Sequence, residues 1–122
     1  LTILLEDPRT HKISVPVAQG TFQYNTQNRM ERMYDHHLEL RMKAGHILWY
    51  LYEGITLKLA CNTRYTPDFI VMMKDRSIEC HEVRGFWGEE AFVKIKVAAS
   101  LFPFRFFAAR RTMNSWDITS IK

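Results

Sequence analysis

Two carboxylates and a cation stand at the open end of one predicted hairpin. Tyr65-Thr66-Pro67-Asp68-Phe69-Ile70-Val71-Met72-Met73 reads as an apolar strand opened by Pro-Asp. Lys74-Asp75-Arg76 is a tight turn, and Ser77-Ile78-Glu79-Cys80-His81-Glu82-Val83-Arg84 is a second strand. A three-residue loop pairs Met73 with Ser77, and counting back along both strands sets Asp68 opposite Glu82. Directly opposed Cβ atoms lie roughly 4.5–5.5 Å apart, so the two anions repel unless a cation sits between them. Side chains alternate along a strand, which puts Glu82 and Arg84 on one face and His81 and Val83 on the other.

That grouping suits phosphodiester hydrolysis. The reaction needs a nucleophilic water, charge relief on the phosphoryl oxygens and help for the leaving oxygen, and a hard divalent cation supplies all three. Mg²⁺ takes oxygen ligands, keeps several waters and needs only one or two carboxylates. Asp68 and Glu82 are the expected ligands, with the Val83 backbone carbonyl as a third. Glu31, brought in from a helix, would hold a second metal or orient a water. Arg84 would sit beside the scissile phosphate.

The positioning elements follow from periodicity. Residues 27–44 predict a helix stopped by Gly45, with a stripe of Met30, Tyr34, Leu38 and Met42. At 100° per residue Glu31 falls within that inward stripe, while Asp35 and Glu39 move toward the polar side and are expected to be solvated. Residues 47–52 and 55–59 are strand-forming, with Glu53-Gly54 as a bend and Asn62-Thr63-Arg64 as a loop. Residues 89–101 predict a second helix burying Phe92, Ile95, Ala99 and Phe102, with Lys94 and Lys96 off that stripe and Pro103 ending it. Residues 104–109 read as a buried strand and 115–121 as a last short strand or tail. Residues 1–20 read as an arm, with Ile3-Leu4-Leu5 and Ile13-Ser14-Val15 as short strands around an Asp7–Thr10 turn. The order implies one α/β domain with a mixed sheet: an arm over 1–24, a core over 25–111, and a tail or strand over 112–122.

Composition narrows the classes. At 122 residues and 47% hydrophobic, the chain can bury a core without disulfides or a structural metal. Cys61 and Cys80 form no CxxC motif, which fits reduced thiols in a cytosolic protein. No apolar run reaches eighteen residues, and the first residues lack a basic segment and cleavage site, so neither a membrane span nor a signal peptide is expected. The formal charge of +4 suits a polyanionic partner without establishing one. Arg64, Arg105, Arg110 and Arg111 add positive charge whose spatial grouping the sequence leaves open.

Pro67-Asp68 followed by Glu82-Val83-Arg84 resembles the PD-(D/E)XK nuclease superfamily. Asn28–Arg32, Lys43–Ile47, Tyr65–Phe69 and His81–Trp87 further resemble small phage and prophage endonucleases akin to Holliday-junction resolvases and transposase-type endonucleases. The likeness covers roughly residues 28 to 109, most of the chain. It implies a restriction-endonuclease-like αβββαβ core, Mg²⁺ or Mn²⁺, and a site formed by Glu31, Asp68, Glu82 and residue 84. It further implies a nucleic-acid-facing helix carrying Lys94 and Lys96, and a phage- or prophage-encoded intracellular enzyme. Arg64 and Trp87 are expected to join that nucleic-acid surface. Branched or junction DNA is the implied substrate, and cutting two strands with one site per chain implies a homodimer. The family has Lys where this chain has Arg84; Arg is always protonated and cannot act as a base.

Three readings therefore compete: a metal-dependent DNA endonuclease, a nucleic-acid-binding module that has lost hydrolysis through Arg84, and an assembly protein with a coincidental carboxylate pair. Elsewhere His36-His37 reads as an exposed helical pair, His81 as packing behind the site, and Cys80 as small core filler. Phe86 and Trp87 are expected at the rim, where they pack or stack on bases.

Overall fold

The computed structural model describes residues 4–5, 13–14, 27–85 and 88–122. In the arm, β1 (Leu4–Leu5) pairs antiparallel with β2 (Ile13–Ser14). The flanking Ile3 and Val15 and the Asp7–Thr10 turn lie outside the described residues.

Helix α1 (Arg29–Lys43) begins at a capping box. The Asn28 side chain accepts from the Glu31 N–H at 2.8 Å, and Glu31 Oε1 accepts from the Asn28 N–H at 3.0 Å. It ends before Gly45, whose φ of 88° favours a residue without Cβ. Tyr34 and Leu38 carry the buried stripe, whereas Met42 is partly exposed near the helix end. Asp35 departs from expectation: it is buried, and Gln27 Nε2 (2.9 Å) and the Tyr50 hydroxyl (2.6 Å) donate to its carboxylate. A neighbouring strand thus supplies the donor that solvent was expected to supply.

The main sheet has the order β3 (Ile47–Tyr52), β6 (Phe69–Met73), β7 (Ile78–Val83), β8 (Arg105–Arg111), β9 (Trp116–Ile121). All neighbours are antiparallel except β7 and β8, which run parallel. A parallel pair needs a crossover, and helix α2 (Glu89–Leu101) provides it. The fold is therefore α/β, with a mixed five-stranded sheet and two helices among the described residues.

Of the 62–64 segment read as a loop, Asn62 lies in a turn but Thr63 and Arg64 are strand. β4 (Leu57–Ala60) and β5 (Thr63–Tyr65) form a separate hairpin, turned at Asn62, whose φ is 58°. Asn tolerates that left-handed conformation, which lets the chain reverse within two residues. The bend at Gly54 is equally tight, since a Cβ there would lie 2.9 Å from both Ile70 Cγ2 and Leu51 Cβ.

Strand alternation splits the core in two. On the α1 side Tyr34 and Leu38 meet Phe69, Val71, Val83 and Ala109. On the other side Leu57 and Tyr65 of the small hairpin join Cys80, Phe106, Ile95 and Ala98. The α2 stripe differs from the sequence reading: Ile95 and Ala98 are buried, while Phe92 is exposed with the Lys96 ammonium 5.4 Å from its ring centroid. Ala99 and Phe102, also expected in that stripe, are partly buried against the same cluster. No described helix is long and apolar enough to cross a membrane.

Candidate active site

Lys74-Asp75-Arg76 closes the β6–β7 hairpin as a three-residue loop: the Met73 N–H donates to the Ser77 carbonyl at 2.9 Å, and Arg76 adopts φ 72°. The register follows, with Phe69 opposite His81 and Ile70 opposite Cys80. One step further along the same ladder, Asp68 stands across from Glu82, as the loop length requires.

Asp68 is held by its backbone and its side chain. Its carbonyl accepts from the Glu53 N–H at 2.7 Å, its N–H donates to Glu82 Oε1 at 3.2 Å, and its Oδ2 accepts from the Val83 N–H at 2.8 Å. Glu82 Oε1 also accepts from the Tyr65 hydroxyl at 2.8 Å, and Oε2 from Arg84 at 2.6 Å. Both carboxylates are buried. Glu31, also buried, accepts from the Tyr52 hydroxyl at 3.0 Å through the oxygen already engaged in the helix cap.

Crowding acids in a dry site raises their proton affinity. Burial first, then the Glu82 charge, pushes the Asp68 carboxyl from the ordinary 3.8 up to about 8; Glu31 adds to this, and the Val83 N–H and Arg84 oppose it. Glu82 is also raised by burial, against the pull of Tyr65, Arg84 and the Asp68 N–H. Glu31 thus acts electrostatically on Asp68 from a helix thirty-seven positions earlier in the chain.

The donor set suits a hard cation that keeps its waters. Among the described residues no group of three or more His, Cys, Asp or Glu is arranged to hold a metal ion, so a closed protein cage is not present there. Mg²⁺ asks for less, since one or two carboxylates suffice. Among the described residues, Asp68 Oδ1 and Glu31 Oε2 accept no hydrogen bond, which leaves each with lone pairs for a ligand. Among the described residues Arg84 Nε is buried without a partner, although Glu82 holds another nitrogen of the same guanidinium. An orphaned cationic donor beside two acids is what an anionic oxygen would satisfy.

Other expected residues are placed as follows. Val83 enters through its N–H on Asp68 and lines a cavity of about 570 Å³ together with Asn28, Arg29, Met30, Met33, Arg84 and Gly85. Lys94 is half-buried and Lys96 exposed on α2, and Arg64 is exposed on β5. Phe86 and Trp87 lie outside the described residues. Sequence reading missed the two tyrosine hydroxyls that orient Glu31 and Glu82. It also missed the capping box, although the Asn28-x-x-Glu31 spacing announces it.

Behind the site, His81 is fully buried, as expected of a packing residue, between Tyr34 and Glu79. A carboxylate only accepts, so His81 Nε2–H donates to Glu79 at 2.8 Å and Nδ1 accepts from the Tyr34 hydroxyl. Burial lowers the His81 pKa, keeping the ring neutral in this arrangement, with Glu79 opposing. Tyr34→Phe leaves Nδ1 buried and unpaired, and is expected to cost ~1–3 kcal/mol in urea unfolding. A variant as stable as wild type would remove this hydrogen bond from the account.

No family model, curated protein or solved structure matches the chain.

Proposed function

We propose that the protein is a metal-dependent DNA endonuclease of the PD-(D/E)XK type, with branched or junction DNA as its substrate and a homodimer as its working form. The observation that carries this reading is the locked Asp68–Glu82 pair beside the half-satisfied Arg84 guanidinium. The order of helix, antiparallel strands, helix and parallel strand supports it, because the resemblance implies an αβββαβ core.

Asp68 and Glu82 would hold Mg²⁺ or Mn²⁺, with Glu31 as third acid. When bound, such an ion relieves charge on the phosphoryl oxygens and makes water a better nucleophile. The chain does the rest. Tyr65 and the Asp68 N–H fix the Glu82 carboxylate, Tyr52 fixes Glu31, and the Val83 N–H fixes Asp68. Arg84 cannot take a proton from water; its side chain, 40% exposed, would instead present the guanidinium to a phosphate oxygen and stabilise the charge that develops there. Since Asp68 keeps its proton up to about pH 8, loading the site requires that proton to leave. Activity therefore rises with pH through neutrality.

The binding-only reading draws on one observation, the Arg84–Glu82 ion pair, which occupies a carboxylate oxygen needed for metal. Supercoiled and four-way-junction DNA incubated with Mg²⁺ or Mn²⁺ separates the two. Metal-dependent nicking that disappears in Asp68→Asn supports the endonuclease. Tight binding with no cleavage under either metal, unchanged in Arg84→Lys, overturns it.

A further inference from the structure

A second cavity, of about 550 Å³, lies between α1 and the β8–β9 turn. Its charged and aromatic lining is Arg29, Arg32, His36, His37, Arg111 and Trp116, with no carboxylate among the described lining residues. The volume lies within the range of small-molecule sites, with room for more than a bare ion.

Among the described residues these three arginines have no ion-pair partner, which suits an anion. Strand alternation directs Asp117 to the sheet face opposite Trp116, in register with Arg110. Asp35 is engaged by Gln27 and Tyr50, and Glu39 pairs with Lys43 at 3.0 Å. The walls are held in place. Arg32 donates to the Gln27 carbonyl at 2.8 Å, the Arg111 guanidinium lies 5.3 Å from the Trp116 ring centroid, and Tyr34 meets that indole edge-on at 4.8 Å. Among the described residues His37 Nε2 is buried without a partner. The His37 pKa is lowered first by burial and then by the neighbouring Arg41 charge, with Arg111 adding in the same direction.

The two cavities adjoin. Arg29 and Met33 line both this one and the cavity that includes Arg84. We infer that the Arg29–Arg32–Arg111 cavity binds a backbone phosphate of the nucleic-acid strand whose neighbouring segment reaches Arg84. The strand's approach to the acidic site rests on the endonuclease reading above. The inference moves the principal nucleic-acid contact from Lys94 and Lys96 on α2 to α1 and the β8–β9 turn.

The test is fluorescence anisotropy of a labelled DNA duplex and a four-way junction, without divalent metal, between 50 and 200 mM salt. It compares wild type with Arg29→Gln/Arg32→Gln, Arg111→Gln, Arg29→Lys/Arg32→Lys and Lys94→Gln/Lys96→Gln, each checked for folding by circular dichroism. The arginine double variant is expected to lose about ten-fold or more in affinity at the lowest salt and to flatten the log–log salt slope by about 2. Arg111→Gln flattens it by about 1, the lysine-for-arginine pair retains the wild-type slope, and the α2 pair shifts affinity less than about two-fold. Unchanged affinity and slope in both arginine-to-glutamine proteins overturns the inference. If wild type still cuts DNA in that case, the endonuclease reading survives alone. Binding lost in those variants, with no cleavage by wild type under Mg²⁺ or Mn²⁺, leaves the cavity as a nucleic-acid site and removes the nuclease. Binding of inorganic phosphate without DNA binding also overturns the inference.

Discussion

Asp68→Asn is expected to abolish metal-dependent cleavage and, at the same time, to raise stability at pH 8. Removing partners one shell away from a metal commonly costs 10–100-fold, and a ligand costs more, so a fall of at least ~10²-fold is expected. The stability change has the opposite sign because the wild-type carboxyl is held far above its ordinary pKa. In the unfolded chain it ionises near 3.8, whereas in the folded protein it ionises near 8. Between these values the native state binds the extra proton, so the contribution of Asp68 to stability is fully present below about pH 4 and is lost as pH climbs through about 8. Each unit of displacement corresponds to ~1.4 kcal/mol before the site relaxes, which makes the decline measurable. Asn keeps an oxygen for the Val83 N–H and carries no charge, so its stability curve is flatter over that window. Urea unfolding of both proteins at pH 4, 6 and 8 measures this. A variant that is inactive and also less stable at pH 8 would show that Asp68 serves the fold rather than a site.

Arg84→Ala is expected to reduce cleavage by ~10²–10³-fold, the range lost when one preorganised donor to a developing oxyanion is removed. Arg84→Lys is expected to retain cleavage or raise it, because Lys keeps the charge and can shed its proton when desolvated. The reason lies in geometry: one nitrogen of the guanidinium is spent on Glu82 Oε2 at 2.6 Å, and the side chain, 40% exposed, keeps a charged surface for the phosphate. Single-turnover cleavage of a junction substrate at saturating Mg²⁺ measures both. Equal rates for Ala and Arg would take residue 84 out of the chemistry.

The parts of the site that were legible in the sequence are those set by short-range geometry. A three-residue loop fixes the register of the hairpin, and alternation then places Asp68 against Glu82 and sends His81 to the other face. The inward position of Glu31 followed from 100° per residue. What escaped depends on neighbours that no local pattern names. Asp35 is buried because Tyr50 and Gln27 reach it, and Glu82 is oriented by Tyr65, read as the start of the Asp68 strand but placed at the end of β5. The Arg29–Arg32–Arg111 grouping unites residues about eighty positions apart, joined only once β8 and β9 pack beside α1. Phe92 was misplaced on α2 because periodicity ranks faces of a helix but not the depth at which each turn meets the sheet.

Calorimetric titration of Mn²⁺ into the protein near pH 7.5, in two buffers of different ionisation enthalpy, reaches the core of the proposal most directly. The proposal predicts saturable binding with release of up to about one proton per ion, as the Asp68 carboxyl gives up the proton it otherwise retains to about pH 8, and loss of both in Asp68→Asn. Folded wild-type protein that takes up no Mn²⁺ at millimolar concentration, or that binds it equally well without the Asp68 carboxylate, contradicts it.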